Sequence, residues 1–321
     1  MAILILRRLA LGFLTIFMVS VLVFAATEVL PGDAARAVLG RGANATTLAA
    51  LRRQLHLDAP VPVRYERWLG DLLTGHLGVS LVNGEPVAAL IGPRIVNSAV
   101  LLGLTGLIGI PLSIAVGILA ALKRDQRLDR VLSIVTLVLA GVPEFVVGIG
   151  LIVVFATVVV QWLPPVSMVA PGTSVLSKPQ ILVLPVATLV LVIFPYVFRM
   201  TRVTMIDVLD SDYMEMASLK GLPRSRLVLV HALPNAVSPT IQVVALTFAY
   251  LAGGTVMIEY LFGYAGLGQG LMDAIEVRDI PMIQAIVLLL ASVYVILNVA
   301  ADVASILVTP RLRRGRSWQA A

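Results

Sequence analysis

The polar residues whose types and spacing could do chemistry fall into three groups within an otherwise apolar chain. The first runs Asp212, Tyr213, Glu215, Ala217, Lys220, Gly221 and Leu222, and continues to His231, Leu233, Pro234 and Asn235. Asp212 stands three positions ahead of Glu215, a capping-box arrangement that occupies free N-terminal amides of a helix. Gly221 is placed to end that helix in a left-handed turn, and Pro223 forbids its resumption. The helix so bounded is about two turns long, too short to persist alone in water. What it offers is docking: a knob pressed into another protein, or, more blandly, an ordinary connector. The second group is Pro143-Glu144, in the middle of an apolar block. A carboxylate at membrane depth faces a wet cavity or a polar partner, or else is held in the bundle to support a kink. The third is Tyr294, Asn298 and Asp302, four residues apart on one helical face. That stripe reads as a hydrogen-bond ladder between helices or as a contact surface for a solute.

Absences narrow the chemistry further. No Gly-Lys-Ser/Thr phosphate loop occurs, so the chain cannot hydrolyse ATP alone. The histidines are His56, His76 and His231, all outside the apolar blocks, and there is no cysteine. A Ser-His hydrolase or a histidine metal site within the spans is thereby excluded, and no disulfide framework exists. No cofactor is expected, and the work of such a chain is conformational.

The elements that must position these residues are membrane spans. The chain is 59% hydrophobic and 13% charged, with a mean hydropathy of +0.98, too apolar for a soluble globule of 321 residues. About 20 apolar residues cross the hydrocarbon, and six blocks qualify: 9–29, 98–122, 131–160, 181–198, 236–258 and 281–308. The start at Arg7-Arg8, with Ala25-Ala26 downstream, imitates a secretory signal, but the apolar run exceeds a signal core and a retained first span is expected. Formal net charge is +6, and its distribution argues against a nucleic-acid surface. Lys and Arg number two in the 1–8 tail, four in 123–130, five in 199–231 and four after Pro310, against one each in 161–180 and 259–280. By the positive-inside pattern, both termini (1–8 and 309–321) and the 199–235 loop lie in the cytoplasm.

Segment 30–97 is the one stretch large enough for folded structure outside the membrane. Thr47 can cap a helix with Leu48, Leu51 and Leu55 on one face. After Asp58-Ala-Pro60-Val-Pro62, a second amphipathic face carries Tyr65, Trp68, Leu69, Leu72 and Leu73. A small helical cap leaning on the bundle is expected. Asn44-Ala45-Thr46 matches a glycosylation acceptor and reads as a chance match. In the second span Gly109, Ser113, Gly117 and Ala121 recur every four residues, a stripe for close helix packing, and Pro111 should bend it. The third block is too short for two spans of about 17 residues or more, so one tilted or kinked helix is expected there.

Several of these motifs also carry a resemblance. Glu215, Ala217, Gly221, Leu233 and Pro234 match the spacing of the EAA loop of permease subunits of ABC importers, with Met216 in place of the middle Ala. His231, Ala232, Leu233 and Asn235 resemble the variant typical of the peptide-importer branch. Leu57 through Tyr65 and Gly75 through Ser80 resemble the region after the first span of dipeptide and oligopeptide permeases, with His76 where an Asp is usual. Gly141-Val-Pro143-Glu-Phe145-Val-Val-Gly148 resembles the same family, as do Gly253 to Glu259 (just outside the fifth span), Gly263 to Gly268, and Arg278-Asp279-Ile-Pro281. So does Thr309-Pro310-Arg311-Leu312-Arg313, with Thr309 replacing Asp.

The resemblance is to the B-type subunit of the dipeptide, oligopeptide and nickel permease family. It implies an all-α membrane protein with six transmembrane helices, like a type I ABC importer permease. A small extracytoplasmic helical insertion would follow the first span, in a bacterial inner membrane. The implied partners are a second six-span permease, two ATP-binding cassette subunits inside, a solute-binding protein outside, and lipid. The 212–222 helix would receive the motion of the ATPases, and Pro143, Glu144, Asn298 and Asp302 are candidates for the translocation path. Cargo is peptide, or nickel or another small solute. From a different class, a passive channel or membrane scaffold would use the same short helix on a partner that is not an ATPase.

Overall fold

The computed structural model describes residues 2–29, 59–170 and 172–308. The helix expected around Leu48 to Leu55, the Asn44 acceptor and the Thr309-Pro310 motif lie outside them. Among the described residues, secondary structure is helical apart from one bridge, Val79 to Pro86. The helices are α1 (Ala2–Val29), α2 (Val61–Leu73), α3 (Val87–Leu122), α4 (Arg127–Gly141), α5 (Glu144–Ile152), α6 (Gln180–Leu209), α7 (Asp212–Leu219), α8 (Leu233–Leu261), α9 (Leu267–Val277) and α10 (Ile280–Val308). Among the described residues five of them are long and apolar enough to cross a bilayer, and the pair α4–α5, continued to Thr157, is the sixth when its two bent halves are taken as one broken span.

α6 is the most buried span and the axis of the bundle, with α3, α8, α4 and α5 packed on it. The α3–α6 contact rests on the small-residue stripe: Gly109, Ser113, Gly117 and Ala121 are all buried. A Cβ on Gly109 would lie 2.7 Å from Ile193 Cδ1, and one on Gly117 would lie 3.0 Å from the Phe198 carbonyl. Only a bare backbone lets the two helices come this close, which is how dispersion contacts accumulate where lipid gives no hydrophobic gain. α3 begins at Val87, earlier than the expected block, and runs through Pro93 and Pro111 as one helix.

The third block departs from expectation. Instead of one kinked helix, α4 and α5 meet at 107°. Pro143 denies the α region to Val142, which adopts φ −94°, ψ 127°, and then starts α5 from an extended conformation of its own. α5 runs into a π turn, Val153–Thr157.

Before α3, α2 leans on the first span: Tyr65 and Trp68 meet Phe24 with ring centroids 5.3 and 5.5 Å away, and the Tyr65 hydroxyl lies 2.8 Å from Ser20 Oγ. Leu73, placed by spacing on the same face, is exposed instead. Gly253 and Gly254, expected just outside the fifth span, sit inside α8.

Candidate functional site

Two places in the fold gather the polar residues singled out above. The first is built around α7, between the C-termini of α3 and α6 and the entrance to α8. Ser211, not Asp212, is the N-cap residue, with φ −81° and ψ 147°, and the capping box does not form. The Ser211 hydroxyl donates back to the Val208 carbonyl, while its own carbonyl accepts from the Met214 and Glu215 amides at 2.9 and 3.2 Å. Asp212 and Glu215 therefore fall in the first turn, where carboxylates complement the positive end of the helix dipole.

The other end closes as the residue order demands. Gly221 takes φ +77°. Its amide donates to Ser218 at 2.9 Å and the Leu222 amide donates to Ala217 at 3.4 Å, the paired reversed bonds of a Schellman ending. Leu222 and Ala217 then pack on one cluster with Ala121, Met205, Leu227, Val228 and Ala232. Met214 is the one α7 side chain sunk into that cluster. Tyr213, Met216 and Leu219 project outward, with Leu219 78% exposed, so this short helix turns apolar surface away from its own protein. Glu215 lines a cleft of about 690 Å³ with Arg124, Asp210, Met214 and Ser218; Arg124 donates to Asp210 at 2.6 Å.

His231, Leu233, Pro234 and Asn235 are not a loop end but helix. Leu227–Ala232 forms a π turn that runs directly into α8, and Pro234 stands at its start. The wider turn accommodates a ring that has no amide to donate and would crowd the carbonyl four residues back. Asn235 Nδ2 donates to the His231 carbonyl at 2.8 Å and to the Tyr213 hydroxyl at 3.2 Å, tying α8 to α7. Nearby, the 124–129 turn is clamped to α6: Arg202 donates to both oxygens of Asp129 at 2.5 and 2.7 Å, and the Asp125 amide donates to the same carboxylate at 3.0 Å. Spacing alone did not single out Asp129 or Arg202.

The second place lies at the middle of the spans. Glu144 opens α5 at the break, and its Oε2 is buried with no hydrogen-bond partner. It lies against Gly254, where a Cβ would be 2.8 Å from Oε2. Gly254 in turn lines a cleft of about 600 Å³ with Gly253, Tyr196, Tyr250, Thr247 and Tyr294. The polar stripe of α10 does not converge there as a unit. Asn298 Nδ2 donates to the Tyr294 carbonyl within its own helix at 3.0 Å, and Asp302 pairs with Arg8 of α1 at 2.8 Å.

At the opposite end from α7 is a network that residue spacing did not reveal. Glu259, 1% exposed, accepts from Ser98 Oγ and the Gly268 amide, both at 2.6 Å. The Leu267 amide donates to Ser98 Oγ at 2.9 Å, and Asn97 Nδ2 donates to the Ala265 carbonyl at 2.8 Å. The turn wraps so tightly that a Cβ on Gly266 would lie 2.3 Å from Glu259 Oε2. Tyr264 donates to the Asn97 carbonyl at 2.7 Å, and burial, then the Glu259 charge, push its hydroxyl above the usual phenol range. The partners are 161 residues apart for Ser98 and Glu259, which is why only the fold shows them together.

Spanning helices, one of them broken at depth beside a tyrosine-lined cleft, are the build of an integral membrane transport protein. The chain belongs to the family of binding-protein-dependent transport system inner membrane components, which matches residues 113–314; the family's N-terminal membrane component matches residues 1–101. It is 34% identical over 313 residues to the "Probable peptide ABC transporter permease protein y4tP" of Sinorhizobium fredii, covering 98% of this chain and 100% of that one. It is 35% identical over 301 residues to the "Glutathione transport system permease protein GsiC" of Escherichia coli K12, covering 93% and 95%. The protein of that name from Shigella flexneri matches to the same extent.

Proposed function

We propose that this chain is one of two permease subunits of an ATP-driven peptide importer in a bacterial inner membrane, without a nucleotide site of its own. The observation that carries the proposal is α7. Asp212, Tyr213, Glu215, Ala217, Lys220, Gly221 and Leu222 make a helix held at its base by Met214 and Leu222, with Tyr213, Met216 and Leu219 left facing outward. An ATPase subunit docked there would push on a rigid element joined to α8 through Tyr213, Asn235 and the His231–Pro234 helical turn. Packed helices switch between discrete arrangements, so the push would rock the bundle between inward-open and outward-open states. A peptide's amides need a wet path, which two permeases would form between them.

The peptide cargo is supported by the names of the relatives, which include peptide and glutathione permeases. The basic 123–130 turn and α7 sit at the same end of the bundle, supporting a cytoplasmic placement of both and of the termini. An extracytoplasmic binding protein would then meet the end that carries α2 and the Glu259 turn. Affinity purification through a tag on this chain should bring down an ATPase and a second six-span permease, and proteoliposomes bearing the complex should take up di- and tripeptides only with ATP. Uptake without ATP would assign a passive channel instead, and nickel uptake in place of peptide would change the cargo.

A further inference from the structure

The unsatisfied carboxylate at the span break lies directly behind Gly254, which forms part of the wall of the three-tyrosine cleft, so its charge acts on the cleft through a residue without a side chain. Tyr196 of α6, Tyr250 of α8 and Tyr294 of α10 come from three different spans, each near its middle, and each is about half exposed. Gly254, on the same cleft wall, leaves room for the Glu144 carboxylate behind it. Glu144 Oε2 has neither a hydrogen-bond donor nor an ion-pair partner. An isolated carboxylate at membrane depth is costly until a proton or a cationic group neutralises it, and a bound ammonium would do so. Phenol rings present negative faces that favour a cation, more strongly where water is scarce.

The geometry points to a binding site for a primary ammonium group in this cleft, with Glu144 as the counter-charge and Tyr196, Tyr250 and Tyr294 as the wall. The inference deepens the peptide-importer reading and rests on it for the identity of the ligand: the α-ammonium of a passing peptide, or a lysine side chain. The cleft of about 600 Å³ is large enough for the end of a short peptide and not for a folded one. Such a site would steer cargo by one charge and leave the remaining side chains unread.

The test uses the complex purified through this chain, in lipid nanodiscs without binding protein or ATP, so that it needs no turnover. Saturation-transfer NMR would be recorded with trialanine, N-acetyl-trialanine and N-acetyl-lysinamide. Trialanine should give a signal that N-acetylation removes and that Glu144→Gln reduces at least fivefold. A signal from N-acetyl-lysinamide as well would extend the site to side-chain ammonium groups. Tyr294→Ala, at an exposed position on the far wall, should weaken the trialanine signal severalfold even if Glu144→Gln does not assemble. No trialanine signal from the wild-type complex, or one indifferent to acetylation or to both variants, overturns the site. Failure of the importer reading would appear elsewhere, as absent ATP-driven uptake.

Discussion

The Tyr213 hydroxyl and the Asn235 amide, 3.2 Å apart, are the side-chain bond that joins α7 to α8. Asn235 also bonds the His231 carbonyl in the preceding π turn, so one amide holds α7, the turn and the following span in register. A net hydrogen bond contributes about 1 kcal/mol. Asn235→Ala and Tyr213→Phe should each lower peptide uptake severalfold while the ATPase still copurifies. The double variant should do little more than either single one, which a double-mutant cycle on uptake rate would read.

Gly221 should be the most sensitive position of α7. Its φ of +77° costs an L-residue about 1–2 kcal/mol, and proline cannot reach it at all. Gly221→Pro should abolish uptake while the protein still inserts, Gly221→Ala should reduce it, and Gly221→Asn should fall between Ala and wild type. Glu215→Lys should also abolish uptake, by reversing charge at the dipole's positive end and on the cleft it lines. Membrane fractionation alongside uptake separates loss of insertion from loss of coupling.

The α3–α6 seam yields a stability prediction with an internal control. Gly117→Leu forces a side chain against the Phe198 carbonyl and Thr201, whereas Gly103, on the same helix, has nothing within 4 Å of its Cβ position. Overpacking costs about 1–3 kcal/mol, so Gly117→Leu should lower the unfolding midpoint in detergent and Gly103→Leu should leave it unchanged.

The Asp129–Arg202 pair should behave as a partly buried bidentate bridge. The Asp129 side chain is 3% exposed and that of Arg202 is 24% exposed, so solvent screens only one partner. Arg202→Leu leaves the carboxylate stranded and should cost about 3 kcal/mol, near the low end for a broken buried pair. Adding Asp129→Asn should restore part of that loss, as measured by thermal unfolding of the purified complex.

Much of this architecture was legible from the apolar blocks, because lipid requires long runs of apolar residues whatever their neighbours. The short helix α7 is legible too, since Gly221 and Pro223 punctuate the backbone locally. Its first residue was not: Ser211 and Asp212 are adjacent and equally able to cap, and the backbone chose Ser211. The sharp turn at Pro143 is not legible in block length, which counts residues and says nothing of angle, whereas Val142 ahead of a proline decides the direction. Glu144 stands out in the sequence by its charge, but the glycine that makes room for it lies on another span. The Glu259 cradle was out of reach for the same reason: Ser98 and Gly268 meet it only after the chain has folded back.

Between Leu219 and Arg224 the chain has almost no freedom left. Lys220 closes one helix, Gly221 is committed to a single reversed turn, Leu222 is anchored in the apolar cluster, and the Pro223 carbonyl already accepts from the Arg226 and Leu227 amides. A joint this short and this fixed is a weld rather than a tether. Displacement applied at Leu219 would arrive at the foot of α8 without slack to absorb it.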